Sequence, residues 1–164
     1  MTSVGQNLQP IWLDQNLEVV KVIDQRRLPH EFVIVDLKTV DDIIMAIKKM
    51  LVRGAPLIGV TGAFGVYLAV LNLKNDSISD SDLITACDRI KSARPTAVNL
   101  AWGVNRVFAE LSEEKNSSTR RERARQAAEK IAEAEAKKCW KIGEHGMELI
   151  KKISEQKNGK TVNI

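Results

Sequence analysis

An uncharged stretch from Ala55 to Leu73 constrains the fold of this chain more than any other feature. It is nearly long enough to span a bilayer, which takes about 20 apolar residues in a helix. Basic residues flank both ends, however, and Gly59, Gly62 and Gly65 recur at a spacing of three, which suits close packing against another helix. Because a helix that is apolar all round is also found buried in a core, the pattern favours the central helix of a globular domain over a membrane span.

Short apolar runs rich in β-branched residues precede the uncharged stretch. Such runs between turn residues predict an antiparallel meander of strands within residues 1–38. The candidate strands are Ile11–Leu13, Leu17–Ile23 and Phe32–Val35. Thr39 followed by Asp42 is typical of a capping box, which predicts that a helix begins there and ends at Gly54.

Apolar residues at helical spacing predict further helices after the uncharged one. One carries Leu83, Ile84, Cys87 and Ile90 on one side, and the next carries Leu100, Val104, Val107, Phe108 and Leu111. An alanine-rich helix is predicted from Thr119 to about Lys141, interrupted by Gly143 and Gly146, before a short helix that ends near Ile153. The predicted fold class is therefore α+β, with a small antiparallel N-terminal sheet followed by a helical bundle.

Charge and cysteine content limit the partners and the compartment. The chain has 164 residues and a net charge of +4, but its arginines and lysines are interleaved with glutamates, which is typical of a solvated face rather than a nucleic-acid surface. Two cysteines far apart and no N-terminal secretory signal predict reduced thiols in the cytoplasm. His30 and His145 lack a cysteine or histidine at ligand spacing, so we expect neither a metal ion nor a cofactor.

Two segments about forty residues apart each place an arginine beside a turn at the start of an apolar helix, Arg53-Gly54 and Arg94-Pro95. The first N–H groups of a helix lack intrahelical partners and carry a partial positive charge, so they favour a phosphate. Gly54 allows close approach of the backbone, and each guanidinium matches two phosphate oxygens. Either arginine alone also fits a solvated helix end, but the pair predicts a pocket for one phosphorylated ligand.

Longer strings around these arginines resemble the signatures of a known enzyme family. The strings are Arg53–Val66, Ala93–Val104 and Ile142–Gly146, and Ile23-Asp24-Gln25 followed by Leu28-Pro29 fits as well. The family is that of the 5-methylthioribose-1-phosphate isomerases of methionine salvage. It shares its fold with archaeal ribose-1,5-bisphosphate isomerases and with the alpha, beta and delta regulatory subunits of eukaryotic translation initiation factor 2B. The resemblance runs over nearly the whole chain.

The resemblance implies an aldose–ketose isomerase that converts 5-methylthioribose 1-phosphate to 5-methylthioribulose 1-phosphate. It implies that Arg53, Gly54, Ala55 and Arg94 hold this phosphosugar. Because the family is typically dimeric, it also implies a homodimer. No nucleic acid or membrane is expected as a partner.

The chain departs from the family at its end. The catalytic cysteine and aspartate of the family belong to a Rossmann-like C-terminal domain, and neither Cys87 nor Cys139 matches that cysteine. We therefore predict a substrate-holding domain at 1–155, with short strands at 1–38 and a helical bundle at 39–155. Residues 156–164 are predicted to begin the missing C-terminal domain with a strand at Thr161–Ile164. This chain is expected to lack catalytic residues and to be inactive alone.

Several alternatives remain open at this point. The chain could be a non-catalytic regulatory or scaffold subunit of the initiation factor 2B type, or part of an isomerase of another phosphorylated pentose. The string Asn99–Trp102 favours the methylthioribose enzyme. Asn99 could bond the substrate or cap the local backbone. Trp102 and Trp140 lie at helical positions beside apolar neighbours, which favours core positions over the lining of a ligand cavity.

Overall fold

Three short strands precede five helices in the computed structural model, which describes residues 9–72, 79–112, 116–158 and 160–163. The strands are β1 (Ile11–Leu13), β2 (Val20–Ile23) and β3 (Ile34–Leu37). They form one antiparallel sheet in the order β1-β2-β3, in which Val22 lies opposite both Ile11 and Val35. The predicted meander is confirmed, although β2 begins later than expected because Leu17 occupies a turn with φ 60°, and β3 lies at Ile34–Leu37, two residues later than the predicted Phe32–Val35.

The sheet follows the alternation of a half-buried surface. Val20 and Val22 of β2 are fully buried, whereas Lys21 between them lies opposite Asp36 of β3 and donates to its carboxylate at 2.7 Å. One face of the sheet therefore joins the core, and the other carries a cross-strand ion pair.

The helices are α1 (Val40–Lys48), α2 (Ala55–Asn72), α3 (Asp80–Ser92), α4 (Val98–Leu111) and α5 (Ser117–Gln156). The predicted capping box is present, because Thr39 Oγ1 accepts from the Asp42 N–H at 3.1 Å and Asp42 Oδ2 accepts from the Thr39 N–H at 2.9 Å. The prediction that Gly54 ends this helix is wrong. Met50 has φ 60° and already lies outside α1, so the chain leaves the helix about one turn earlier.

Helix α2 is the centre of the first compact unit, Met1–Ala132. Its residues Leu57–Val70 are all buried, and it packs against β1, α1, α3 and α4. By length and composition alone α2 could cross a membrane, but 72% of it is buried here, as expected for a central core helix. The glycines of the predicted stripe pack against different helices: Gly59 and Gly62 face α4, whereas Gly65 faces α1 and α3.

Helix α3 buries a narrower side than the sequence predicts. Leu83, Cys87 and Ile90 are buried, but Ile84 is 47% exposed. Residues 83, 87 and 90 lie on one stripe of the helix, and position 84 is rotated away from it by a hundred degrees. Pro95 lies in the turn after α3, and α4 begins only at Val98 rather than at the proline.

Helix α5 differs from the two shorter helices predicted for the C-terminal part of the chain. It runs unbroken for 40 residues through Gly143 and Gly146, where an interruption was predicted. A glycine costs a helix interior only about 1 kcal/mol relative to alanine, which does not break a long helix of good helix formers. Residues 160–163 are irregular rather than part of the predicted strand, and Ile164 lies outside the described residues.

The chain divides into two compact units, Met1–Ala132 and Glu133–Ile164. In the first unit, Ala124, Ala128 and Ile131 of α5 complete the core formed by the sheet and the other helices. In the second unit, α5 continues with large apolar side chains exposed. The predicted boundary between residues 155 and 156 stays a prediction.

Candidate functional site

The start of α2 has the backbone geometry that the anion-pocket prediction requires. Gly54 has φ +85°, a left-handed conformation that favours glycine, although a Cβ there would meet nothing within 4 Å. The Ile58 N–H donates to the Gly54 carbonyl at 3.0 Å and so begins the helix. Ala55 is the first helical residue, Pro56 is the second, and both are exposed. The first N–H of α2 therefore belongs to an exposed residue, Ala55, whereas Pro56 has no N–H and Leu57 is buried.

Arg53 lies two residues before α2, and Arg94 lies four residues before α4, directly after Ala93, the C-cap residue of α3. Arg53 is exposed, and its Nε donates to the Met50 carbonyl at 3.4 Å. Arg94 is half-buried in the turn before α4, where its carbonyl accepts from the Ala97 N–H at 3.0 Å. Within the part of the chain that the structure describes, neither guanidinium forms an ion pair with a carboxylate. Other arginines do, namely Arg26, Arg27, Arg89, Arg106, Arg120 and Arg125.

A close crossing of α2 and α4 brings the two helix starts together. The Asn99 carbonyl oxygen lies 2.8 Å from the position of a Cβ on Gly59, and a Cβ on Gly103 would lie 2.2 Å from the Gly59 carbonyl oxygen. Asn99 is in the first turn of α4, and Gly59 is one turn into α2. Since four helical residues rise about 6 Å, the Asn99 carbonyl oxygen lies within about 10 Å of the Ala55 Cα.

The charges of these two helix starts differ from those of their neighbours. Helix α1 carries acidic residues in its first turn, and so does α3, in each case near the positive end of the helix dipole. The first turns of α2 and α4 carry none. The helix dipoles and the two arginines therefore both favour an anion here.

Two side chains on α4 beside this region, those of Trp102 and Asn99, can be compared with the predictions made for them. Trp102 is 46% exposed and Val98, one turn earlier, is 78% exposed, so the core position predicted for Trp102 is wrong. Asn99 is half-buried with its Cβ 3.4 Å from the Cβ position of Gly59, and no cap hydrogen bond from its side chain is seen among the described residues.

The loop after β2, which was not predicted to belong to the site, is bonded to the segment that leads into α2. The Gln25 N–H donates to the Leu51 carbonyl at 2.9 Å, two residues before Arg53. Asp24 beside it is only 3% exposed and accepts from Arg26 Nε at 2.9 Å and from Arg26 Nη2 at 2.7 Å. This guanidinium holds the pKa of the Asp24 carboxyl below its usual value, against the opposing effect of burial. In the sequence, the string Ile23-Asp24-Gln25 contributed to the family resemblance, but no binding role was predicted for its residues.

Neither cysteine belongs to the segments that form this region, whereas His30 is an exposed residue of the loop after β2. Cys87 is buried in α3, and burial raises the pKa of its thiol to about 11, so it stays protonated at neutral pH. Cys139 and His145 are exposed on α5 in the second unit, and Trp140 is 63% exposed, so the core position predicted for that tryptophan is also wrong. No cluster of three metal-ligating side chains occurs in ranges 9–72, 79–112, 116–158 and 160–163.

Comparisons with known proteins identify relatives of this chain. Residues 51–162 match the initiation factor 2 subunit family. A methylthioribose-1-phosphate isomerase from Desulfosudis oleivorans is 53% identical over 156 residues, which are 95% of this chain and 42% of that protein. Another from Desulfatibacillum aliphaticivorans is 50% identical over 161 residues, 98% of this chain and 44% of that protein. The chain thus spans less than half the length of these relatives.

Solved structures with the same fold fall into two functional groups. The delta subunit of translation initiation factor eIF-2B from A. fulgidus has a TM-score of 0.72 at 34% identity, covering 77% of this chain and 37% of that chain. The 5-methylthioribose 1-phosphate isomerase from Pyrococcus horikoshii OT3 has a TM-score of 0.69 at 32% identity, covering 79% of this chain and 37% of that chain. Structural similarity alone therefore does not separate an isomerase from a regulatory subunit.

Proposed function

Because the chain belongs to the initiation factor 2 subunit family, we propose that it is the substrate-holding N-terminal portion of a 5-methylthioribose-1-phosphate isomerase. The observation that carries the proposal is the adjacency of the α2 and α4 starts, each with an arginine that no described carboxylate neutralises. The identity of 53% and 50% to proteins named as this isomerase supports the substrate. In this proposal Arg53, Gly54, Ala55 and Arg94 bind the phosphate group.

The chemistry of the substrate explains why a separate holding element is useful. Its phosphate is on the anomeric carbon, so the sugar ring does not open as a free hemiacetal does. An acid has to protonate the ring oxygen, after which hydrogen moves from C2 to C1. A phosphate fixed by two helix starts keeps the sugar at one position during both steps, which lowers the entropic part of the barrier. The proton-transfer groups come, in this proposal, from the portion of the relatives that this chain does not match.

The exposed side of α5 in the second unit supports docking of that remaining portion. Trp140, Met147 and Leu149 are 63%, 51% and 63% exposed. Trp140 and Met147 share one exposed stripe of α5 with Cys139, Gly143, Glu144, Glu148 and Lys151. A Cβ on Gly143 or Gly146 would meet nothing within 4 Å, which leaves room for close approach of another backbone. We assign this surface to the rest of the isomerase, and we propose that the assembled enzyme is a cytoplasmic homodimer.

Reconstitution from two parts tests the proposed function. The purified chain is mixed with the remaining C-terminal portion of the Desulfosudis oleivorans isomerase, and conversion of 5-methylthioribose 1-phosphate is followed. We expect turnover in the mixture and none from the chain alone. Arg53→Gln and Arg94→Gln should each lower kcat/KM about a hundredfold, since each removes a charge-assisted bond worth about 3 kcal/mol.

Arg106→Gln is the matched control for this experiment. Arg106 is also on an exposed side of α4, where it pairs with Glu110 at 3.8 Å, and its loss should leave kcat/KM unchanged. Wild-type kcat/KM in both the Arg53 and the Arg94 variants would overturn the proposed binding site. Turnover by the chain alone would overturn the division of roles.

A regulatory subunit is the second candidate, favoured by the structural similarity to the eIF-2B delta subunit. In that case the complete protein would act through subunit contacts and would not isomerise the phosphosugar. The reconstitution assay separates the candidates. Saturable phosphosugar binding with no turnover in any assembled form would favour the regulatory subunit.

A further inference from the structure

The pair Asp24–Arg26 is an ion pair in which one partner is buried and the other is partly exposed. The Asp24 side chain is 4% exposed, while that of Arg26 is 41% exposed. Both carboxylate oxygens accept from the guanidinium, Oδ1 from Nε at 2.9 Å and Oδ2 from Nη2 at 2.7 Å. Asp24 Oδ1 also accepts from the Arg26 backbone N–H at 3.1 Å. The guanidinium therefore has a fixed plane and direction.

This arrangement leaves part of the guanidinium available to a second acceptor. Arginine has five N–H donors, and the two bonds to Asp24 use one donor on Nε and one on Nη2. The remaining three donors, on Nη1 and Nη2, lie on the side away from the carboxylate. An arginine held on one side by a buried carboxylate is preorganised to bind an oxyanion on the other side.

The loop that carries Arg26 is joined to the segment that leads into α2. The Gln25 N–H donates to the Leu51 carbonyl at 2.9 Å, so Arg26 is one residue from this contact and Arg53 is two residues from it. The other end of the loop is anchored to the sheet, because the Asp24 N–H donates to the Val33 carbonyl at 2.9 Å. Backbone hydrogen bonds at Asp24 and Gln25 thus hold the residue before Arg26 against the segment that leads into α2.

We propose that Arg26 is a third guanidinium contact to the anionic group bound at the α2 and α4 starts, and that Asp24 is the residue that positions it. This inference rests on the proposed function, since it concerns the same phosphate group. It extends the predicted site to the loop 24–31. Arg27 does not share the role, because it is 57% exposed and its one ion pair among the described residues is with Glu31, at 3.6 Å.

A titration of the ¹⁵N-labelled chain with inorganic phosphate at constant ionic strength tests the inference. The Kd is read from the amide resonances of Gly54 and Ala55 and from the side-chain Nε resonance of Arg26. We expect the Arg26 Nε resonance to shift with the same Kd as the two amides. Arg26→Gln should weaken phosphate binding about tenfold, which is 1.4 kcal/mol. Arg27→Gln, which removes a neighbouring charge of the same sign, should change the Kd less than twofold.

Two further variants keep the test decisive if Arg26→Gln does not fold. Arg26→Lys retains the charge beside Asp24 but loses the planar fork, and it should weaken phosphate binding several-fold. Asp24→Asn should weaken it several-fold as well, with Arg26 still present. An Arg26 Nε resonance that does not respond, or wild-type binding by Arg26→Lys, overturns the inference.

The variant Arg53→Gln distinguishes failure of the inference from failure of the proposed function. If Arg53→Gln loses phosphate binding while the Arg26 variants bind like the wild type, only the inference is wrong. If neither Arg53 nor Arg26 affects binding, the proposed phosphate site is wrong as well. Equal losses in the Arg26 and Arg27 variants would indicate a general effect of charge and would also overturn the inference.

Discussion

Replacing Gly103 with alanine tests the close crossing on which the site depends. A Cβ at this position would lie 2.2 Å from the Gly59 carbonyl oxygen and 2.9 Å from the Gly59 carbonyl carbon. Ordinary van der Waals contact begins near 3.4 Å, so the two helices would have to separate by about 1 Å. Both neighbouring atoms are backbone atoms of the buried helix α2, and they cannot rotate away as a side chain can.

The expected loss of stability is the difference between two opposing effects. Overpacking a core costs about 1–3 kcal/mol, and a backbone clash falls at the upper end of this range or above it. Alanine is favoured over glycine in a helix by about 1 kcal/mol, which offsets part of the cost. We therefore expect Gly103→Ala to lower the free energy of unfolding by about 2 kcal/mol. For a chain of this size that corresponds to a Tm lower by roughly 4–8 °C.

Urea unfolding followed by circular dichroism measures this change. The matched control is Gly143→Ala, also in a helix interior, where a Cβ would meet nothing within 4 Å. With no clash, the control should gain helix stability, by about 0.5–1 kcal/mol. A Gly103→Ala protein as stable as the wild type would refute the close approach of α2 and α4, and with it the adjacency of their starts.

Three further predictions concern single residues. Asp24→Asn should lower the free energy of unfolding at neutral pH. Because the folded-state pKa of Asp24 is lowered, the stabilisation by its carboxylate is lost as the pH falls, and the difference in unfolding free energy from the wild type should narrow below about pH 4. A constant difference across the acid range would contradict this. Arg120→Ala should cost about 3 kcal/mol in urea unfolding, because the Arg120 side chain is only 2% exposed and its truncation leaves a cavity and removes the bond to Asp80; a neutral result would show that this side chain does not stabilise the fold. A maleimide should modify Cys139 at neutral pH and spare Cys87 until the chain unfolds; equal labelling of both thiols in the folded protein would contradict the buried position of Cys87.

The sequence predicted the elements whose burial leaves a periodic pattern. The uncharged stretch from Ala55 had to be buried, and α2 is indeed the central helix of the first unit. The β-branched runs predicted the sheet, and Thr39 with Asp42 predicted the start of α1 through its capping box. These features follow from local preferences and from the alternation of apolar residues, which a single sequence displays.

Other features depend on neighbours that the sequence does not display. Gly143 and Gly146 suggested a break in α5, but the cost of glycine in a helix is small against the length of that helix. Trp102 and Trp140 have apolar neighbours in sequence yet are 46% and 63% exposed, because burial depends on which side of a helix meets another element. The contact of Gln25 with residue 51 joins backbone groups far apart in the chain, which leaves no pattern in either segment.

A titration with 5-methylthioribose 1-phosphate determines whether the α2 and α4 starts bind one phosphate together. We expect saturable shifts of the Gly54 and Ala55 amide resonances at one helix start and of the Val98 and Asn99 amide resonances at the other, all with the same Kd. Shifts at only one of the two starts, or different dissociation constants for the two, would contradict such shared binding.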